Sequence, residues 1–568
     1  MTMQRIWQKH YPAGISAEIN PDACTSLVNV FEQSCQRFAA LPAFHNFGTT
    51  LSYADIDRLS RHFAAYLQEA GFKQGERIAL MLPNVLQYPV ALFGALRAGL
   101  IVVNTNPLYT ARELQHQLED SGATCMVVLE NFAHTVQQVL KNTKLRQVII
   151  TGIGDLLHFP RNILINYGAR WLKHMVPVYY IANAVSFKDS LQRGSRAAFT
   201  APTIAATDIA LLQYTGGTTG IAKGVMLTHR NLLANLEQLS ALWSATIRDG
   251  EDIIITPLPL YHVFCFTCNL LLFTGHGGLN VLITNPRDIP GVVRELAKWK
   301  FTFITGVNTL YQALLDNEEF SELDFSALKI GVAGGMALQP AVANRWQQLT
   351  GRVMVEGYGL TETAPVVACN LLHANRIGTV GVPLPSTDIE IRDGDKALPI
   401  GVEGELYVRG PQVMKGYWNR SDETAKALSD DGWLNTGDIA RMDVDGYLHI
   451  VDRKKDMIIV SGFKVFPNEV ESVVMSHEQV LEAGCIGVPD PRSGQAVKVF
   501  VVARENATLS VEQIREYCST RLTRYKIPKH VEFRSTLPKT HIGKVLRRAL
   551  AEEHEHDSNE HTRSADRV

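Results

Sequence analysis

The sequence predicts an α/β protein with more than one doubly wound layer, followed by a small β-rich subdomain and a compact terminal α/β unit. Three observations predict it. The chain has 568 residues, more than one hydrophobic core usually organises. Short apolar runs alternate with amphipathic stretches of helical period through the first two thirds. After about residue 380 glycine and proline become dense and the apolar runs shorten, the texture of a small β-rich unit.

Taken in order, Ser26–Gln33 and Ile56–Leu67 place apolar residues at three- and four-residue spacing and read as helices. Pro42–Phe44 and Thr50–Tyr53, between them, read as short strands. Arg77–Leu82 is unbroken apolar sequence after its first residue and stops at Pro83-Asn84, as a strand buried on both faces does. A helix over Val85–Gly99 and a strand over Leu100–Asn104 follow, and the rhythm returns at Thr124–Leu129, Gln147–Thr151 and Asp252–Ile304. Glu405–Val408 and Gly446–Val451 are strands of the β-rich stretch. The last unit starts near Lys455, with strands at Cys485–Val488 and Val497–Ala503 and a helix over Val511–Leu522; Ala551–Val568 is a polar tail read as disordered.

Composition excludes several classes. Hydrophobic residues make up 46%, charged residues 20%, and net charge is −2, so bulk charge favours neither nucleic acid nor an anionic surface as partner. The eight cysteines are dispersed and form neither a disulfide scaffold nor a metal array. Cys265 and Cys268 read as buried thiols in a reducing, cytoplasmic setting. The longest apolar candidate, Ala91–Val103, is broken by Arg97 and falls short of the roughly 18 residues a spanning helix needs. Asn162–Met175 mixes basic, aromatic and apolar residues. It reads as a surface helix packed on the core, with contact to the inner face of a membrane as the rival reading.

Four motifs carry chemistry. Tyr214-Thr215-Gly216-Gly217-Thr218-Thr219-Gly220-Ile221-Ala222-Lys223-Gly224 joins glycines that free backbone N–H groups, hydroxyl donors and one cation, the makings of a phosphate cradle. Strand-like Ala210–Gln213 precedes it, and Thr228 or His229 opens a helix after it. It is not a Walker A loop, because no hydroxyl residue follows Lys223 to hold magnesium. In Glu356-Gly357-Tyr358-Gly359-Leu360-Thr361-Glu362, Tyr358 offers a face to a base, and Thr361 and Glu362 offer oxygens. A carboxylate beside a triphosphate needs a hard cation between them. Thr436-Gly437-Asp438, followed by Asp452-Arg453-Lys454-Lys455-Asp456, offers a carboxylate to ribose hydroxyls. Pro538-Lys539-Thr540-His541-Ile542-Gly543-Lys544 puts a long cationic arm on a glycine-hinged loop.

In these motifs the chain resembles the adenylate-forming superfamily of acyl-CoA synthetases, luciferases and peptide-synthetase adenylation domains. From Ile6 to about Leu550 it is similar to bacterial long-chain fatty-acid–CoA ligases. The resemblance implies a large N-terminal domain over 1–453, made of two doubly wound α/β subdomains and a β-rich subdomain at about 380–453. A small mobile α+β C-terminal domain spans 454–550, and the tail 551–568. It implies ATP, magnesium and coenzyme A as the reaction's companions, a fatty acid as substrate and no nucleic acid, and it leaves open a homodimer.

The resemblance also implies roles. Lys223 and the loop Tyr214–Gly220 handle the outer phosphates, Tyr358 packs on adenine between Gly357 and Gly359, and Glu362 binds magnesium beside Thr361. Gly334-Gly335 lines the carboxylate and adenine pocket, Asp438 and Arg453 take the ribose, and His262 stands against the acid or adenine. Lys544 bridges carboxylate and α-phosphate, Lys455 is the hinge, and Ser461, Gly462 and Phe463 approach coenzyme A. Thr305, Gly306, Gly331 and Gly334 leave room for the acyl chain. A medium-chain or aryl-acid ligase, a fatty-acyl-AMP ligase and a non-catalytic nucleotide-binding regulator are the remaining alternatives.

Overall fold

The computed structural model describes residues 5–215, 222–505, 507–540 and 543–555. Two large sheets form the bulk of the N-terminal domain. In the first, Leu279–Leu282, Ile253–Thr256, Phe303–Gly306, Ile330–Ala333 and Met354–Gly359 run parallel in that order. Pro42–Asn46 extends the sheet on one edge, and Val366–Cys369 turns antiparallel on the other. In the second, Ile209–Thr215, Ile101–Asn104, Arg77–Met81, Cys125–Leu129 and Gln147–Thr151 are parallel neighbours. Their apolar runs are buried on both faces, as helix-covered parallel strands require.

The helices start where local chemistry directs. Ser52 and Asp55 close a capping box that opens Tyr53–Glu69. Thr228 and Asn231 do the same for His229–Trp243, directly after strand Lys223–Thr228. The helix expected over Val85–Gly99 is Gln87–Arg97. Arg97 interrupts the apolar run in sequence but is buried: its guanidinium bonds Ser60 Oγ at 2.9 Å, Glu32 at 3.1 Å and Asp57, a satisfied charge rather than a surface one.

A third sheet, Asp388–Asp393, Gly404–Arg409, Leu434–Met442 and Leu448–Arg453, is antiparallel and carries Asp438 and Arg453 as opposed residues. The C-terminal domain has its own sheet, in which Val480–Asp490 and Gly494–Ala503 pair antiparallel and His530–Phe533 adds parallel. Helices Pro467–Met475 and Val511–Ser519 cover it over a separate core around Val470, Val499 and Ile514. The second of these helices ends three residues short of the expected Leu522, which is nevertheless buried, and residues 547–555 form a further helix that reaches into the stretch expected to be disordered from Ala551.

The segment 162–175 is not one regular helix. It is an α-helix over Arg161–Tyr167 followed by a π-turn over Gly168–Leu172. Leu164, Tyr167, Trp171 and Leu172 are exposed, while Ile165 packs on the core and Ala169 is buried, as expected of a surface segment packed on the core. No helix among the described residues is long and apolar enough to cross a membrane.

Candidate active site

The carboxyl ends of the parallel strands, the third sheet and the C-terminal domain enclose a cavity of about 1510 Å³, where ligands collect in open α/β sheets. It has two arms. One is apolar, between Leu239, Trp243, Ile254, Leu272, Phe273 and Phe303. Trp243 stacks on Phe303 at 6.2 Å, and Phe273 meets Phe303 edge-on at 4.9 Å. The other is charged, lined by Lys223, Glu362, Asp438, Arg453, Lys455 and Lys544.

Neighbouring strands fix the charged arm. Asp438 and Arg453 stand opposite each other in the ladder, so Arg453 Nε reaches Asp438 Oδ1 at 2.7 Å. The Tyr358 hydroxyl donates to Asp438 Oδ2 at 2.5 Å. Burial raises the Asp438 carboxyl and Arg453 opposes that shift. For the Tyr358 hydroxyl, burial and then Asp438 both act upward, so the phenol stays protonated. A carboxylate offers about four lone-pair sites, so two partners leave acceptor capacity for hydroxyl groups.

Lys544 faces cavity solvent, yet the protein mass around it and the charges of Arg453 and Arg547 lower its pKa below the ordinary lysine value. Its loop docks on the large domain: Gly543 has a φ of 89°, and a Cβ there would meet Thr309 Oγ1 at 2.8 Å. Lys223 Nζ is 2.5 Å from Glu423 and 5.2 Å from the Tyr417 ring centroid. The Tyr417 hydroxyl in turn donates to Glu362 Oε1 at 2.8 Å. Lys223, Tyr417 and Glu362 therefore form one connected strip of the wall.

Among the other expected site residues, Thr215, His262, Thr305, Gly334, Gly335, Gly357, Tyr358, Gly359 and Thr361 line the cavity. His262 Nδ1 accepts the Phe264 N–H at the start of a short helix. Gly216, Gly217, Thr218, Thr219 and Gly220 lie outside the described residues. Tyr214 points elsewhere and bonds Asp120 at 2.7 Å. Gly306 and Gly331 do not reach the cavity. A Cβ at Gly306 would meet the Tyr311 ring at 2.9 Å, and one at Gly331 the Trp346 indole at 3.0 Å, so both glycines admit core aromatics rather than an acyl chain. Gly359 is small because a Cβ there would fall 2.0 Å from the Pro365 carbonyl.

Ser461, Gly462 and Phe463 sit at a hairpin tip and are exposed, Phe463 stacked on Tyr525 at 4.8 Å. They do not line the cavity in this arrangement of the domains. Sequence reading missed Tyr417 and Glu423, which carry no motif, and the apolar arm, whose residues lie on four separate elements. One further group stands out: Glu356 is buried, accepts the Leu338 N–H at 3.0 Å, and is pushed up to about 8 by burial.

No cluster of three or more His, Cys, Asp or Glu side chains able to hold a metal occurs among the described residues. A single carboxylate such as that of Glu362 is the kind of oxygen donor that a hard divalent cation accepts alongside phosphate oxygens and water.

The AMP-binding enzyme family matches residues 31–418, and the AMP-binding enzyme C-terminal domain matches residues 469–544. The long-chain-fatty-acid–CoA ligase of Yersinia pestis is 54% identical over 556 residues, covering 97% of this chain and 98% of that protein. The anthranilate CoA ligase AuaEII in complex with anthranoyl-AMP superposes with a TM-score of 0.84 at 24% identity, covering 95% of this chain and all of the other. ATP-bound MatB from Rhodopseudomonas palustris gives 0.77 at 28% identity, over 93% and 98%.

Proposed function

Because the chain belongs to the AMP-binding enzyme family, we propose that it is a long-chain fatty-acid–CoA ligase working through an acyl-adenylate. A carboxylate is a poor acylating agent. Its oxygen attacks the α-phosphorus of ATP, pyrophosphate leaves, and the resulting mixed anhydride is an activated acyl group. The thiol of coenzyme A then attacks the acyl carbon, and AMP leaves.

The observation that carries the reading is that one cavity of about 1510 Å³ is lined both by apolar side chains, Trp243, Phe273 and Phe303 among them, and by Asp438, Arg453 and Lys544. Apolar walls hold the chain by burial, at about 25 cal/mol per Å². The charged arm neutralises two anions as they meet, in a cleft where water is scarce. In this reading Tyr358 packs on adenine and Asp438 accepts from the ribose. Lys223 and the preceding loop hold the outer phosphates, and Lys544 bridges the acid and the α-phosphate. Glu362 would hold magnesium, which when bound supplies positive charge to the phosphates. No side-chain nucleophile is needed; positioning does the work.

The second half-reaction needs Lys544 withdrawn and Ser461, Gly462 and Phe463 brought to the cavity for the pantetheine arm, a turn of the small domain about Lys455. The outward position of the 461–463 hairpin supports a state poised for adenylation. A cytoplasmic enzyme in peripheral contact with a membrane belongs to the same reading, supported by exposed Trp171 and Leu172 beside Lys173.

The test is AMP release by the purified chain with ATP, magnesium, coenzyme A and acids of graded length. Turnover that peaks at long chains is the expected result. A peak at short or aryl acids would replace the substrate, and acid-dependent pyrophosphate exchange without acyl-CoA would indicate transfer to another thiol.

A further inference from the structure

Helix Pro467–Met475 opens the C-terminal domain without a cap of its own, since Phe466 offers no side-chain acceptor. A bare helix start leaves N–H groups to be satisfied. The acceptor comes from the other domain. Asp452 Oδ2 accepts the Asn468 N–H at 2.6 Å, and Asn468 Nδ2 donates to the Val451 carbonyl at 3.2 Å. Asp452 belongs to strand Leu448–Arg453, is paired with Ile439 in the third sheet, and is 1% exposed.

The other oxygen of Asp452 accepts Arg547 Nη1 at 2.9 Å and the Arg453 N–H at 2.8 Å. Arg547 lies three residues beyond Lys544. Its guanidinium forks onto Glu471, Nε to Oε1 at 2.8 Å and Nη2 to Oε2 at 2.7 Å, and also bonds Asn468 Oδ1. Asp456 Oδ2 stands 3.3 Å from Nη1. One buried carboxylate of the large domain thus grips the small domain twice, at the start of its first helix and at the arginine next to the lysine loop.

We propose that Asp452 is a positioning residue for adenylation: it latches the small domain in the orientation that holds Lys544 in the cavity. The latch is built to open. Glu471 and Asn468 travel with Arg547, so the guanidinium keeps its bidentate partner when the domain turns. Asp452 keeps the Arg453 N–H and gains water. Neither charge is stranded in a dry core, which is what makes breaking a buried pair expensive elsewhere.

This inference rests on the two-step reading above, and measuring the half-reactions separately keeps the two apart. Asp452→Asn retains the size and an acceptor for the Asn468 N–H while removing the ion pair. Acid-dependent exchange of pyrophosphate into ATP should fall roughly 10- to 100-fold, the range for losing a charged hydrogen bond. Transfer from supplied acyl-AMP to coenzyme A should be unchanged or faster. Asn468→Ala keeps the backbone N–H on Asp452 but removes the side-chain bond to the Val451 carbonyl across the domains and the acceptor for Arg547, and should show the same split, about three- to tenfold. Equal loss of both half-reactions in Asp452→Asn, or undiminished exchange in either variant, would overturn the latch. A wild-type enzyme without exchange would instead overturn the adenylation reading.

Discussion

The two arms of the cavity are made by opposite means. The apolar arm is assembled within one domain from side chains that interlock in its core: Phe303 is fully buried and touches both Trp243 and Phe273. The charged arm is assembled across two domains from ion pairs and loops, with Lys544 on one side and Asp438 and Arg453 on the other. Close packing admits few alternative arrangements, whereas ion pairs exchange partners with water at modest cost. In the proposed function, the half of the site that takes the acid is then fixed, and the half that takes phosphate can be dismantled between steps.

The sharpest way to test that division is Lys544→Ala. Adenylation should drop on the order of a thousandfold, the upper range for removing one stabilising donor from a charged transition state. Transfer from supplied acyl-AMP and the melting temperature should stay near wild type; separate assays of the half-reactions and a thermal scan check this. A comparable loss in transfer would mean that the charged arm is not dismantled at all.

Phe303→Ala attacks the other arm. Removing a buried ring should cost about 3 kcal/mol or more of stability, read from denaturant midpoints, and should loosen chain-length preference. A variant as stable as wild type would show the apolar arm to be soft.

A third effect, spread over pH, comes from Glu356, which lines the cavity. Its carboxyl titrates near 8 when folded and near 4.3 when unfolded. Between those values the unfolded chain binds fewer protons, so stability should fall with rising pH, by up to about 1.4 kcal/mol per unit. Below the unfolded value this contribution is level. Glu356→Gln keeps an acceptor for the Leu338 N–H and should flatten the slope; melting temperatures from pH 5 to 8 compare the two.

The two arms were also unequally legible in the sequence. The charged arm announces itself because glycines, a tyrosine and charged residues fall within short motifs, and Asp438, Tyr358 and Lys544 were readable before any geometry. The apolar arm was not. Leu239, Trp243, Phe273 and Phe303 have no spacing that distinguishes a cavity wall from ordinary core, and Gly306 and Gly331, chosen for smallness, turned out to admit Tyr311 and Trp346. Parallel strands were legible from unbroken apolar runs, whereas the environment of Arg97, in helix Gln87–Arg97, was not. Its charge breaks a candidate membrane span, but only the structure brings in its partners Asp57 and Glu32, distant in sequence.

Asp438 already holds Tyr358 and Arg453. A sugar lacking its hydroxyls would therefore leave no solitary anion behind. Discrimination between ribose and a dideoxy analogue should be mild at this position, and the pocket has nothing to rearrange before a nucleoside settles. The enzyme arrives at each encounter with its recognition surface already assembled.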